Sequence, residues 1–83
     1  MSDAPSPIPE AAIRAAILDL ALQRGRGKSF CPSEVARALS PDWRPLMADV
    51  RQVAETMAEV KATRRGAEVA ATAPGGPIRL SLR

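Results

Sequence analysis

Eighty-three residues, with 12 Lys and Arg against 9 Asp and Glu, give a net charge of +3 and a pI near 10.0; a chain this short makes one small domain and buries only about 60% of its unfolded surface. One cysteine, Cys31, and no histidine exclude an internal disulfide framework and leave no parts for the usual thiolate, imidazole and metal-site chemistries. No stretch approaches ~20 consecutive apolar residues and no basic start precedes an apolar run, so neither a membrane span nor a signal peptide is expected, and a reducing, cytoplasmic setting fits.

In chain order, residues 1–7 contain Ser2, Pro5, Ser6 and Pro7 and are expected to form a disordered arm, with the folded domain over 8–83. Pro9 suits a first helical turn, Glu10 favours the positive end of a helix, and residues 10–24 are rich in Ala and Leu. Ile13, Ile17, Leu20 and Ala21 form the core stripe of this first helix, widened by Leu18 and Leu22, while Arg14, Asp19 and Gln23 face water. Gly25 is expected to end it in the left-handed conformation.

Residues 25–28 form a basic loop, and Ser29 and Phe30 read as a very short edge strand. In Cys31-Pro32-Ser33-Glu34, proline stands at a first helical position and Glu34 completes half of a capping box, so a second helix runs from here to about Leu39. Val35, Ala36 and Leu39 face inward, Glu34 and Arg37 outward. Ser40-Pro41-Asp42 breaks and restarts the helix, because Pro41 disfavours helix at Ser40 and either Ser40 or Asp42 can cap the next helix. A third helix then runs to about Val60, with Pro45 tolerated in its first turn. Trp43, Leu46, Met47, Val50, Val53, Ala54 and Met57 recur at three- and four-residue steps on its inner face. Ala48, Gln52, Glu55 and Glu59 lie opposite, with Arg44 and Arg51 on the flank.

After Val60 the pattern changes to short extended pieces: residues 61–65, a break at Gly66, residues 67–72, a Pro-Gly-Gly-Pro turn at 74–77, and residues 78–82. The last piece alternates, placing Ile78, Leu80 and Leu82 toward the core and Arg79, Ser81 and Arg83 toward solvent. Helix, short strand, helix, helix and hairpin make an α+β, mainly α, winged helix-turn-helix: three helices plus a C-terminal β-hairpin wing.

Charge is unevenly spread. Lys61, Arg64, Arg65, Arg79 and Arg83 against Glu68 give residues 61–83 a net +4, whereas residues 1–23 carry −2. A basic end suits a phosphate backbone, and it also suits a solvated face on a mildly basic protein. The candidate groove contacts on the third helix are Arg44 and Arg51 for guanine or phosphate and Gln52 for adenine. Against them, Asp42, Asp49, Glu55 and Glu59 share that helix, and Arg51 could simply pair with Glu55 at i and i+4. The candidate phosphate contacts are Arg64, Arg65 and Arg79, gathered by the hairpin; ordinary edge-strand decoration is the bland alternative. Gly75 and Gly76 are turn residues rather than a phosphate loop, since no helix comes after them. Cys31 lacks a histidine base, so packing is the simpler reading of it, and Trp43 on the inward stripe reads as core. No catalytic, cofactor-binding or metal-binding residue is nominated.

The run FCPSEVARALSPDWRPLMADVRQVAETM, with the closing GGPIRLSL, resembles a family of small bacterial proteins known as domain of unknown function 3253, which adopts a winged-helix fold. Cys31 to Arg37, Trp43-Arg44, Leu46-Met47, Val50-Arg51 and Gly76-Pro77-Ile78-Arg79 carry the resemblance, which covers about residues 13–82. Arg64-Arg65-Gly66 departs from the β-branched residue and Gly or Gln usual there. The resemblance implies a polar cluster of Glu34, Arg37, Trp43, Arg44, Arg51 and Arg79, with Glu34 and Arg37 able to pair with Arg51 or Asp49. The function expected from these residues is a DNA-binding winged-helix module of transcriptional-regulator type, with double-stranded DNA as partner; the alternative is a protein-interaction module or small homodimer without nucleic-acid binding.

Overall fold

Residues 8–83 are described by a computed structural model; the arm expected over residues 1–7 lies outside the described residues. Helix α1 spans Glu10–Arg24, strand β1 Ser29–Phe30, helix α2 Pro32–Leu39 and helix α3 Met47–Glu55, entered through a 3-10 turn at Arg44–Leu46. Strands β2 (Val60–Arg64), β3 (Ala67–Val69) and β4 (Arg79–Leu82) complete the chain. The architecture is α+β: three helices and a four-stranded antiparallel sheet in the order β1-β4-β2-β3.

Helix α1 starts where the Pro9 carbonyl accepts the amides of Ala12 and Ile13, at 3.0 and 3.2 Å. Its buried stripe is Ile13, Ile17 and Ala21, packed toward α2, α3 and β4. Leu18 and Leu20 are half-buried, but Leu22, expected to widen the stripe, is 61% exposed; nine residues of helix put it about 180° around the axis from Ile13. Gly25 ends the helix at φ 83° as expected, yet its ψ of 173° is the extended, glycine-only conformation rather than the left-handed helical one.

At the start of α2 a Glu34 Oε2 atom accepts the Cys31 amide at 3.0 Å, closing the expected capping arrangement. Val35 and Ala36 are buried and Leu39 is half-buried. In the break after α2, Ser40 Oγ accepts the Asp42 amide at 3.1 Å.

The third helix is shorter than its spacing suggests. It ends at Glu55, not near Val60, which is the first residue of β2. The Thr56 and Met57 amides bond the carbonyls three residues back, Val53 and Ala54, at 3.0 and 3.1 Å, and the Thr56 hydroxyl donates to the Val53 carbonyl at 2.7 Å. Such i→i−3 bonds tighten and close a last turn. Met57 is nevertheless buried, as are Leu46, Val50, Val53 and Ala54 on the inner face; Trp43 and Met47 are half-buried against that core.

The expected break at Gly66 is a hairpin turn, whereas the Pro-Gly-Gly-Pro segment is built differently from the expected turn. β2 and β3 are joined by the two residues Arg65 and Gly66, both at positive φ (53° and 85°), the backbone of a type I′ turn that matches strand twist. The Pro-Gly-Gly-Pro segment makes no hairpin: β3 and β4 lie on opposite sides of β2, so residues 70–78 must cross β2 to connect them. They cross on the α3 side, where Ala71 and Ile78 are buried. The core alternation of Ile78 and Leu80 holds, with Leu82 half-buried. Ser81, expected in solvent, is only 7% exposed because Ser29 of β1 and Lys61 of β2 flank it in register. Phe30, Ile17, Leu80, Val35 and Val50 form the centre of the core. Among the described residues no helix is long and apolar enough to cross a membrane.

Candidate nucleic-acid interface

The six candidate contact residues take four different situations. Arg51 and Arg64 are committed to the 70–78 crossover. Arg51 Nε donates to the Ala71 carbonyl at 2.8 Å and Nη2 to the Ala73 carbonyl at 2.7 Å. Arg64 Nη1 donates to the Pro74 carbonyl at 3.0 Å, and its Nη2 to the carbonyls of Ala73 and Gly76 at 3.1 and 3.0 Å. Crossing strands leaves backbone carbonyls without ladder partners, and two guanidiniums fill that need.

Arg79 projects from the outer face of β4 and is anchored at β1: Nε meets Ser29 Oγ at 2.7 Å and Nη2 the Ser29 carbonyl at 3.0 Å. Its Nη1 reaches Cys31 Sγ at 3.5 Å, a weak acceptor. Arg44 lies over the Trp43 ring with its Cζ 4.6 Å from the centroid, and Arg37 lies over the same ring at 4.5 Å. Such cation-π contacts hold a guanidinium in place without neutralising it. Gln52 and Arg65 are exposed. Gln52 sits in a groove of about 310 Å³ with Ile8, Ile13 and Val53, beside the carboxylates of Glu10 and Asp49, surroundings that repel phosphate.

The expected ion pairs are redistributed. Arg51 does not pair with Glu55, whose Oε1 instead accepts the Ala71 amide at 2.6 Å. Glu34 pairs with Arg24, at 2.5 Å, rather than with Arg51. The Arg24 hydrogen bond, reinforced by the Cys31 amide, holds the Glu34 carboxyl below its ordinary value of 4.5. The two other ion pairs among the described residues are Arg14 with Glu10 and Arg83 with Glu68, each at 2.9 Å. Twelve cations, less the three in these pairs, leave nine without a carboxylate partner among the described residues.

Five of these cations gather in two places. One is the corner of α2 and the 3-10 turn, with Arg37, Trp43 and Arg44. The other is a cleft of about 660 Å³ whose polar lining is Arg64, Arg65, Arg79, Thr63 and Cys31, with no carboxylate. Spacing nominated neither Arg37 nor Thr63. Arg37 reaches Trp43 across the Ser40-Pro41-Asp42 break, and Thr63 faces Arg79 only through the β2-β4 register.

Comparison with functionally curated proteins gives no match. The family model described as a protein of unknown function, DUF3253, matches residues 10–83, from the first residue of α1 to the end of the chain. Nearly the whole chain is thereby covered, and the protein belongs to the DUF3253 family.

Proposed function

We propose that the protein is a DNA-binding winged-helix module of transcriptional-regulator type, in which α2, the Ser40-Pro41-Asp42 break and α3 form the helix-turn-helix and the β2-β3 hairpin forms the wing. The observation that carries this reading is the pair of cation groups without carboxylate partners, Arg37 with Arg44 and Arg64 with Arg65 and Arg79. Arg44, Arg65 and Arg79 make the phosphate contacts. Arg51 and Arg64, bonded to the crossover, contribute their positive field rather than a direct contact. With Asp49 and Glu55 beside Gln52 on α3, affinity comes mainly from the DNA backbone and sequence preference is weak.

Fluorescence anisotropy with random-sequence duplex DNA at low salt tests the reading. Neutralising the three phosphates contacted by Arg44, Arg65 and Arg79 gives a slope of log affinity against log salt of about −3. Binding weaker than about 10⁻⁴ M, the floor of non-specific association, rejects it.

Leu22, the large hydrophobic residue exposed on α1, favours a second reading, a protein-interaction module or small homodimer without nucleic-acid binding. Light scattering across a concentration series separates the two: a concentration-dependent dimer that Leu22→Gln dissolves supports the second, and a monomer at every concentration removes the homodimer.

A further inference from the structure

The cleft between the β2-β3 turn, the crossover and the start of α2 has a more specific chemistry than a general basic surface. Arg64, Arg65 and Arg79 line it, and among the described residues no Asp or Glu does. Arg79 and Thr63 are cross-strand partners on β4 and β2, so both side chains stand on the same sheet face. Two of the guanidiniums are immobilised by neutral groups: Arg79 by the Ser29 hydroxyl and carbonyl, Arg64 by the carbonyls of Ala73, Pro74 and Gly76. Their rotamer entropy is already spent in folding and neither is in an ion pair, the Glu34 carboxylate, held by Arg24, offsetting the Arg79 charge only from a distance. Arg64 Nε is buried with no acceptor among the described residues, a donor that ordinarily finds a partner. Arg65 makes no side-chain hydrogen bond among the described residues and can close over an occupant from the exposed turn.

Holding three like charges around one concavity is unfavourable unless an anion compensates them. A phosphodiester carries one charge, whereas a terminal phosphate carries about −1.5 to −2 with three strong acceptor oxygens. Guanidinium forks match that geometry, and the cleft volume lies in the range of small-molecule sites.

We propose that this cleft binds a dianionic phosphate monoester, with Arg65 and Arg79 donating to its oxygens, Thr63 adding a hydroxyl donor and Arg64 supplying fixed positive charge. The monoester can be that of a free nucleotide or of a 5′-phosphorylated DNA end. The site does not depend on the reading of the protein as a duplex binder.

The test is a titration of the full chain with adenosine monophosphate, followed through the arginine Nε–Hε resonances. The Arg64, Arg65 and Arg79 signals shift together and saturate, and Arg65→Gln weakens the fitted affinity roughly tenfold, as expected for one charge-assisted hydrogen bond. Arg65 lies at an exposed turn, so this variant leaves the core intact. Alkylation of Cys31 by iodoacetamide also slows when the cleft is occupied. Shifts that never saturate, that adenosine reproduces, or that sodium chloride at equal ionic strength reproduces overturn the proposal. A duplex with 5′-phosphates that binds better than its hydroxyl-ended twin assigns the site to DNA ends; equal duplex affinities with saturable nucleotide binding assign it to a free monoester. Duplex binding without nucleotide binding rejects the cleft alone, and nucleotide binding without duplex binding rejects the DNA-binding function alone.

Discussion

Arg51 and Glu55, one turn apart on α3, hold the same residue instead of each other. Arg51 Nε donates to the Ala71 carbonyl at 2.8 Å while Glu55 Oε1 accepts the Ala71 amide at 2.6 Å. Ala71 is 3% exposed, in a segment that crosses β2 without joining the sheet. Both peptide groups of this buried residue therefore depend on side chains of a helix.

Removing that grip lowers stability. Arg51→Ala strips the side-chain donor from the buried Ala71 carbonyl and one of two from the Ala73 carbonyl, and the expected cost is about 1–3 kcal/mol, read from equilibrium urea unfolding. Glu55→Gln keeps an acceptor for the Ala71 amide and costs less than Glu55→Ala. The Arg51→Ala and Glu55→Ala effects are not additive, since both act on one segment; additive losses would show the two contacts to be independent.

Gly75 is where the Arg64 guanidinium lies against the crossover backbone. A Cβ there would come within 3.3 Å of Arg64 Nη1, at a φ of +114°. Gly76 has a similar φ of +118° but open space around it. Both alanine variants are destabilised by backbone strain, about 1–3 kcal/mol. Gly75→Ala loses more, by the share belonging to the displaced Arg64 contacts, and equal losses in thermal unfolding would show that Arg64 gives way freely.

Arg65 occupies the first position of the type I′ turn at φ 53°, where Asn is preferred. Arg65→Asn is expected to raise the Tm slightly, the backbone term being worth a few tenths of a kcal/mol to about 1 kcal/mol. The same variant weakens duplex binding and makes the salt slope shallower by about 1. Stability and affinity thus move in opposite directions, a pattern that a misfolded variant cannot imitate.

Glu34 links stability to pH. Its folded-state pKa is lowered, chiefly by the Arg24 hydrogen bond and then by the Cys31 amide. A depressed carboxyl stabilises the fold above its unfolded-state pKa and loses that contribution as pH falls through the lower, folded-state value. Glu34→Gln therefore lowers the Tm near neutrality, and the gap to the parent protein closes as the pH drops below about 4. A gap that stays constant over this range, by calorimetry, would assign the effect to something other than ionisation.

Local signals in the sequence set the first half of the chain. Pro9 and Glu10, Gly25, Cys31-Pro32-Ser33-Glu34 and Ser40-Pro41 bound α1 and α2 because capping and proline geometry act within a few residues. The two-residue period likewise placed Leu80 inward on β4. Three matters were left to the tertiary structure. Met57 is buried whether or not the helix continues to it, so apolar spacing could not locate the end of α3 at Glu55. Strand order is a non-local property, and only the placement of β4 between β1 and β2 turned the Pro-Gly-Gly-Pro segment from a hairpin into a crossover. The arginines took their partners from that topology: Arg51 finds acceptors 20 and 22 residues away and Arg79 finds Ser29 at a separation of 50. Composition determined that this end of the protein is basic, whereas chain crossing decided which guanidiniums are bound to backbone carbonyls and which remain open to an anion.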